Sequence, residues 1–318
     1  RNDDLRTGEE RGHRERRHHE QHKVEAGIGQ IEHRDRHERH RDDDSDGPLA
    51  IALGRATPVH GPIVADGEGA RGPVSDSVRP GRQGLRPVPL LSIMAVVLSV
   101  APHPDDEVIA AGPVCIDLIA AGHDVHVLLA SLGRPEQRER RLLEARAAAT
   151  VGGWSLHAPD TTAAIGAHDD LVGAQSFIAQ QVQALARELN ADIVIAPSPH
   201  DAHHGHEVVG RAVTAALRGD DGVRWWAWAL WGHLPRTSLI HPVDAGTMQV
   251  AVTALAAYRG ENERNDYRRL LAGGSEAAAV LGPERVFGFG SARVSDLPYA
   301  SLFLELEARG GSWETCTP

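Results

Sequence analysis

The chain has 318 residues, 41% of them hydrophobic and only 4% aromatic, with a formal net charge of −11. That length holds one large domain or two small ones, and the acidic balance excludes a surface built to grip a phosphate backbone, which needs a basic face. Residues 1–93 carry 17 acids against 16 bases, eight of the 19 histidines and no Phe, Trp or Tyr, so the net charge of −10 on residues 94–318 belongs to the part able to fold.

So little apolar surface cannot offset the chain entropy of residues 1–93. They are expected to be a disordered extension or to lie outside the native fold, and their histidines to be unstructured charge. Residues 94–318 are expected to form the domain, and Met94, just before the first strand, reads as a start. Val88 to Ala101 is an apolar run of 14 residues, too short to span a bilayer. Pro89 interrupts it and acids follow it, so a buried strand fits better than a signal-peptide core, and no stable membrane insertion is expected. Cys115 and Cys316 are the only cysteines, too few and too far apart for a disulfide framework or a zinc ribbon, which fits a reducing cytoplasm.

Ala95–Ala101 is continuously apolar and rich in Val, as a central parallel strand is. Glu107–Ala121 has helical spacing, with Asp105 and Asp106 at the N-cap and Gly122 as the stop. Val125–Ala130 predicts a second strand, Pro135–Thr150 an Arg/Glu/Ala-rich helix, and a third strand precedes the loop holding Asp160 and His168. Leu171–Leu189 predicts a helix, Ala191–Ala196 a strand and Glu207–Leu217 a helix. Trp225–Trp231 reads as a strand with tryptophans on both faces, packed in the core. Met248–Leu271 predicts a helix and the VFGFG near Val286 a last strand. This alternation predicts an α/β fold with a mainly parallel sheet and helices on both faces.

Two polar clusters follow buried strands: His103-Pro-Asp105-Asp106-Glu107, and His200-Asp201-Ala-His203-His204-Gly-His206. Ligands of open α/β sheets bind at the carboxyl ends of strands, so the two clusters are expected to share one crevice. A catalytic zinc takes three N or O ligands and keeps a position open to water. His103 and Asp106 would supply two ligands from one turn and a histidine of the second cluster the third, leaving Asp105 free as a general base. A divalent cation would turn the repulsion of three adjacent acids into a binding site. The competing readings are a metal-free strand end, with Asp105 merely capping its helix, and an Arg141–Glu144 ion pair on a helix surface.

HPDDE after a first strand, with a later D-x-H-x-x-H, resembles the PIG-L/LmbE family of zinc-dependent N-acetylglucosaminyl deacetylases over most of residues 94–290. Arg141-Leu-Leu-Glu144, followed by Ala148, Ala149 and Gly152, is similar to that family's R-x-x-E helix. The resemblance implies a Rossmann-like fold and one Zn2+ per chain on His103, Asp106 and His206, with Asp105 as base. It also implies that a protonated His203 assists the intermediate or the leaving amine, with Asp201 orienting His203. Arg141, Asp160, His168, Trp231 and His233 are candidate substrate contacts, and His200 and His204 rim residues. The sequence departs from the family at Gly205, where an acid is usual, at Pro113, and at Arg259-Gly260, where many members carry Ser-Gln.

The stretch from Arg264 to Ser291, with the Trp-rich strand, looks most like teicoplanin-type glycopeptide antibiotic pseudoaglycone deacetylases. The implied reaction, part of antibiotic biosynthesis, is hydrolysis of an N-acetyl group, in which zinc-bound water of lowered pKa attacks the carbonyl. The expected partner is an N-acetylglucosaminyl small molecule or glycopeptide, and no nucleic acid. The alternatives are a zinc amidase acting on another conjugate, such as a thiol-cofactor precursor or a glycolipid, and a non-catalytic sugar-binding module.

Overall fold

The structure, a computed structural model, describes residues 94–159 and 162–317; the expectations for residues 1–93 and for Asp160 lie outside them. Strand β1 (Val96–Ala101) is buried on both faces from Val97 onward, as its unbroken apolar run requires. It pairs in parallel with β2 (Asp124–Leu129) on one side and β4 (Ile193–Pro197) on the other. β3 (Ser155–His157) extends the sheet beyond β2, and β5 (Arg224–Trp228) extends it beyond β4, both in parallel. The chain thus winds outward from β1 in both directions, and a crevice opens where the winding reverses, between β1 and β4.

Helices α1 (Asp106–Ala120), α2 (Arg138–Gly152), α3 (Leu171–Leu189) and α4 (His204–Leu217) make the crossovers. A core on one face joins α1 and α2 to Trp226, Trp228 and Phe303; a core on the other joins α3 and α4 to Trp225. The tryptophan run therefore packs on both faces, as alternation predicts. Its strand ends at Trp228, leaving Trp231 outside the sheet and 44% exposed.

The last third of the sheet departs from expectation. β6 (Leu239–Val243), β7 (Tyr299–Arg309) and β8 (Ser312–Thr315) add an antiparallel edge, with β7 between β5 and β6. The helix expected over Met248–Leu271 is three helices: α5 (Ala245–Leu255), α6 (Arg259–Arg264) and α7 (Tyr267–Phe287). The breaks set Tyr258 and Glu261 pointing inward, both buried. The VFGFG segment is not a strand. Val286 and Phe287 finish α7, and Gly288 and Gly290 hold positive φ, a conformation that ends a helix and cannot continue in a sheet. Among the described residues no helix is long and apolar enough to cross a membrane.

Candidate metal centre and active site

The turn after β1 and the first turn of α4 meet at the crevice. Asp106 Oδ2 collects three groups: the His103 backbone N–H at 3.0 Å, His103 Nδ1 at 3.0 Å and His206 Nε2 at 3.2 Å. The His103 and His206 rings lie 5.8 Å apart by centroid. α4 begins three residues earlier than its apolar spacing predicted, so His206 sits inside the helix and is 1% exposed. Gly210 makes this approach possible, because a Cβ there would lie 2.7 Å from the Pro197 carbonyl oxygen at the end of β4. Gly205, the departure from the family pattern, has a local reason too: its Cβ would lie 2.9 Å from the His103 ring. The missing side chain is the room that His103 occupies.

Asp201 does not orient His203, as the motif implied. Its Oδ2 instead pairs with His206 Nδ1 at 3.0 Å, and its carboxylate accepts the N–H groups of Leu230 and Trp231 at 2.8 and 3.0 Å. These bonds tie the loop after β5 to α4. With His206 Nδ1 donating to Asp201, Nε2 presents a lone pair to the Asp106 carboxylate, and two acceptors so placed need a cation between them. Without a metal that cation is a proton. Burial opposes it, but Asp106 and Asp201 prevail and lift the His206 pKa to about 9. Burial likewise opposes charge on Asp106, and His206 and His103 overcome it, holding the carboxyl far below the usual range. His103 presents a parallel arrangement, since its Nδ1 faces Asp106 and leaves Nε2 free. A His2Asp donor set with a carboxylate behind one imidazole matches the chemistry of a catalytic zinc site.

His203 completes a trio with His103 and His206 whose ligand atoms lie within 4.8 Å of one another, so it competes with Asp106 for the third place. Its own hydrogen bonding gives it a second role. Nδ1 accepts the Gly205 N–H at 3.2 Å and caps α4, so a neutral ring carries its proton on Nε2, a donor rather than a ligand. Burial and the charges of His103, His206 and His204 push its pKa down to about 4. In this arrangement Nδ1 is occupied by the Gly205 N–H, and Nε2 is the ring nitrogen left to face a substrate.

Asp105 occupies the N-cap position of α1 but makes no capping hydrogen bond with its side chain, and its φ of 110° is rare for a residue with a Cβ. Strain of this kind costs about 1–3 kcal/mol and persists only where the surroundings impose it. Here the Asp105 N–H is held by Glu107 Oε2 at 3.0 Å, and Glu107 Oε1 accepts from the hydroxyl of the fully buried Tyr258. Burial, then Asp106 and Glu107, raise the Asp105 pKa well above the carboxylate range, and burial brings Glu107 up to about 7. The side chain makes no capping bond, and a buried Glu–Tyr pair fixes the backbone that carries this carboxyl.

Glu107, Tyr258 and Glu261 were not assigned roles from the sequence. Only the excess of acids in HPDDE pointed to the first. Arg141 pairs with Glu261, while Glu144 takes Arg140 at 2.8 Å, so the expected Arg141–Glu144 pair does not form. Trp231 stands beside Tyr267 with ring centroids 6.3 Å apart. His168 and His233 are exposed, and no hydrogen bond or ion pair joins them to the site among the described residues.

Both motifs fall inside residues 98–217, which match the model of the PIG-L family, described as GlcNAc-PI de-N-acetylase. Residues 98–217 belong to the PIG-L family. The match runs from β1 to the end of α4, so the PIG-L segment holds every candidate metal ligand while the antiparallel edge lies beyond it. No curated protein matches the chain in sequence. Among solved structures, a deacetylase of the teicoplanin biosynthesis pathway is similar with TM-score 0.53 and 14% identity, over 68% of this chain and all of the other. The A40926 pseudoaglycone deacetylase gives 0.52 and 16% over 68% and 99%. The N,N'-diacetylchitobiose deacetylase of Pyrococcus horikoshii gives 0.50 and 16% over 67% and 84%. At these identities the likeness is one of fold, and one fold hosts many reactions.

Proposed function

We propose that the protein is a zinc-dependent N-deacetylase that removes the acetyl group from an N-acetylglucosaminyl unit, with a glycopeptide antibiotic pseudoaglycone as the acceptor. One observation carries the reading: Asp106 Oδ2 lies against both His103 and His206, beside an Asp105 held in a strained conformation without a capping role. A binding module has no use for that carboxyl. The glycopeptide acceptor is supported by the fold likeness to the teicoplanin-pathway and A40926 deacetylases and by the exposed Trp231 at the crevice, an apolar face for a sugar or an aromatic scaffold.

His103, Asp106 and His206 would hold the ion. When bound, it polarises the acetyl carbonyl and lowers the pKa of water to about 7. Asp105 takes the proton of the attacking water, as a carboxylate held beside the ion can. As the tetrahedral oxyanion develops, His203 donates to it through Nε2–H, a preorganised donor of the kind worth about 3–4 kcal/mol in other hydrolases. The protonated Asp105 then returns its proton to the amine nitrogen, the C–N bond breaks, and acetate and free glucosamine leave. Asp201 fixes the ring and tautomer of His206; Glu107 and Tyr258 fix the backbone of Asp105.

The test is acetate release, followed by mass spectrometry, from N-acetylglucosaminyl glycopeptides, glycolipids and pseudodisaccharides, with chelated and zinc-restored protein in parallel. Zinc-restored protein should deacetylate at least one class and chelated protein none. A folded protein that takes up no divalent metal, or a zinc form inert on every class, refutes the reading.

A further inference from the structure

Helix α7 presents two different faces. Leu271, Ser275 and Gly282 are buried toward the sheet, and a Cβ on Gly282 would fall on Ile240 Cδ1 of β6, so this glycine lets the helix reach the strand. The opposite face carries Leu270, Gly273, Gly274, Ala277, Val280, Leu281 and Glu284, all exposed. Their spacing of three and four residues makes them one stripe along the helix. It is apolar except at its last member, and Val280 within it is 74% exposed.

Gly273 and Gly274 have no reason of the kind that Gly282 has. No described atom lies within 4 Å of a Cβ built at either position. A glycine in an exposed helix interior weakens the helix relative to alanine, because more chain entropy is lost on ordering it. Two in succession at mid-helix are a cost that nothing inside the chain offsets. What they provide is a pair of hollows into which a side chain from outside can enter.

The stripe is symmetric about Ala277. Gly274 and Val280 stand three residues to either side of it, Gly273 and Leu281 four, Leu270 and Glu284 seven. If two copies of α7 cross antiparallel at Ala277, each residue meets the one equally far along on the other side. Val280 then enters the hollow over the partner's Gly274, and Leu281 the hollow over the partner's Gly273; the two-fold repeats both contacts. Arg269 comes level with the partner's Glu284 on the same side of the pair. Neither Arg269 nor Glu284 has an ion-pair partner among the described residues, so the crossing joins opposite charges that the single chain leaves unmatched. A parallel pairing would set Val280 on the partner's Val280 and leave the glycine hollows empty.

We propose that the exposed face of α7 is a self-association surface, on which a second copy of this chain packs antiparallel about a two-fold axis at Ala277. A two-fold contact must be complementary to itself, and this stripe sets hollow against knob and cation against anion. Just beyond its end Phe287 and Phe289, 46% and 97% exposed, extend the apolar surface that the second copy would cover.

The test measures the mass of the full chain by light scattering across a concentration series. The wild type should reach twice the chain mass of 34.2 kDa, with a Kd below about 100 μM. Gly273→Leu puts a good helix former at an open position, so it should stay folded in dilute solution and run as a monomer. Arg269→Glu sets acid against acid at both ends of the contact and should weaken association by about tenfold. Adding Glu284→Arg should bring the Kd back to within about threefold of the wild type, a recovery that damage to the fold would not give. Ala277→Cys in a Cys316→Ser background places a thiol at the axis and should give a disulfide-linked dimer on oxidation. A wild type that stays monomeric up to that concentration overturns the proposal, and co-sedimentation of such a monomer with phosphatidylglycerol vesicles would give the face to a bilayer instead. A dimer untouched by Gly273→Leu, or one that Ala277→Cys does not cross-link, overturns it as well.

Discussion

Replacing Asp105 with Asn separates the role of this residue from that of its neighbours. The side chain makes no capping bond, and Asn tolerates positive φ as readily as Asp, so the backbone has no reason to move. The metal ligands proposed here, His103, Asp106 and His206, are untouched. What is lost is the proton acceptor, and general-base removal lowers turnover by about 10²–10⁴-fold, or about 3–5 kcal/mol of barrier. Stability should move the other way. The folded-state pKa of Asp105 is raised by burial and by Asp106 and Glu107, so above its unfolded pKa the ionised carboxyl weighs against folding, and a neutral amide removes that cost at pH 7. The assay is acetate release beside zinc content and thermal unfolding of the same preparations. Loss of turnover with full zinc and an unchanged or higher Tm is expected. Near-normal turnover, or turnover lost together with zinc, would refute the assignment.

Further expectations attach to the surrounding residues. Glu107 has its pKa raised from 4.5 to about 7, so the stability it contributes while protonated is lost as pH rises through that window, by at most about 3 kcal/mol. Urea midpoints of chelated protein should therefore fall more from pH 4.5 to pH 7 in the wild type than in Glu107→Gln; parallel curves would contradict this. Tyr258→Phe leaves a Glu107 oxygen buried without its hydroxyl donor and should cost about 1–3 kcal/mol in urea unfolding. Asp201→Asn weakens the restraint on His206 and should lower zinc affinity about 10–100-fold in chelator competition; an unchanged affinity would mean that the carboxylate only anchors the loop after β5. Gly205→Ala places a methyl against the His103 ring and should likewise reduce zinc affinity while leaving the far sheet edge, read by Trp225 and Trp313 fluorescence, as it was.

Local patterns carried much of this in advance. The Val-rich run of β1 and the ADIVIA run of β4 are apolar without interruption because both faces of those strands are covered. Each stops at a polar cluster because parallel strands end where the sheet opens. The convergence of His103, Asp106 and His206 followed from two motifs at two strand ends, and the Trp-rich strand announced its two-sided packing by alternation. Elsewhere local pattern was mute. Arg141 finds Glu261 across 120 residues, and Glu107 finds Tyr258 across 151; no periodicity records a partner at that distance, so nearby Glu144 was the pairing to expect. The run Met248–Leu271 has helical composition throughout, and its two breaks appear only because packing turns Tyr258 and Glu261 inward. The half-exposed strands of the antiparallel edge take their pairing from β5 and from one another. Residue order alone settled which groups stand at the strand ends and hence what chemistry can gather there. The packed fold settled which acid holds which base, which N–H His203 accepts and where four arginines, Arg134, Arg140, Arg141 and Arg264, meet, because these depend on through-space distance and burial, and neither is written in neighbouring residues.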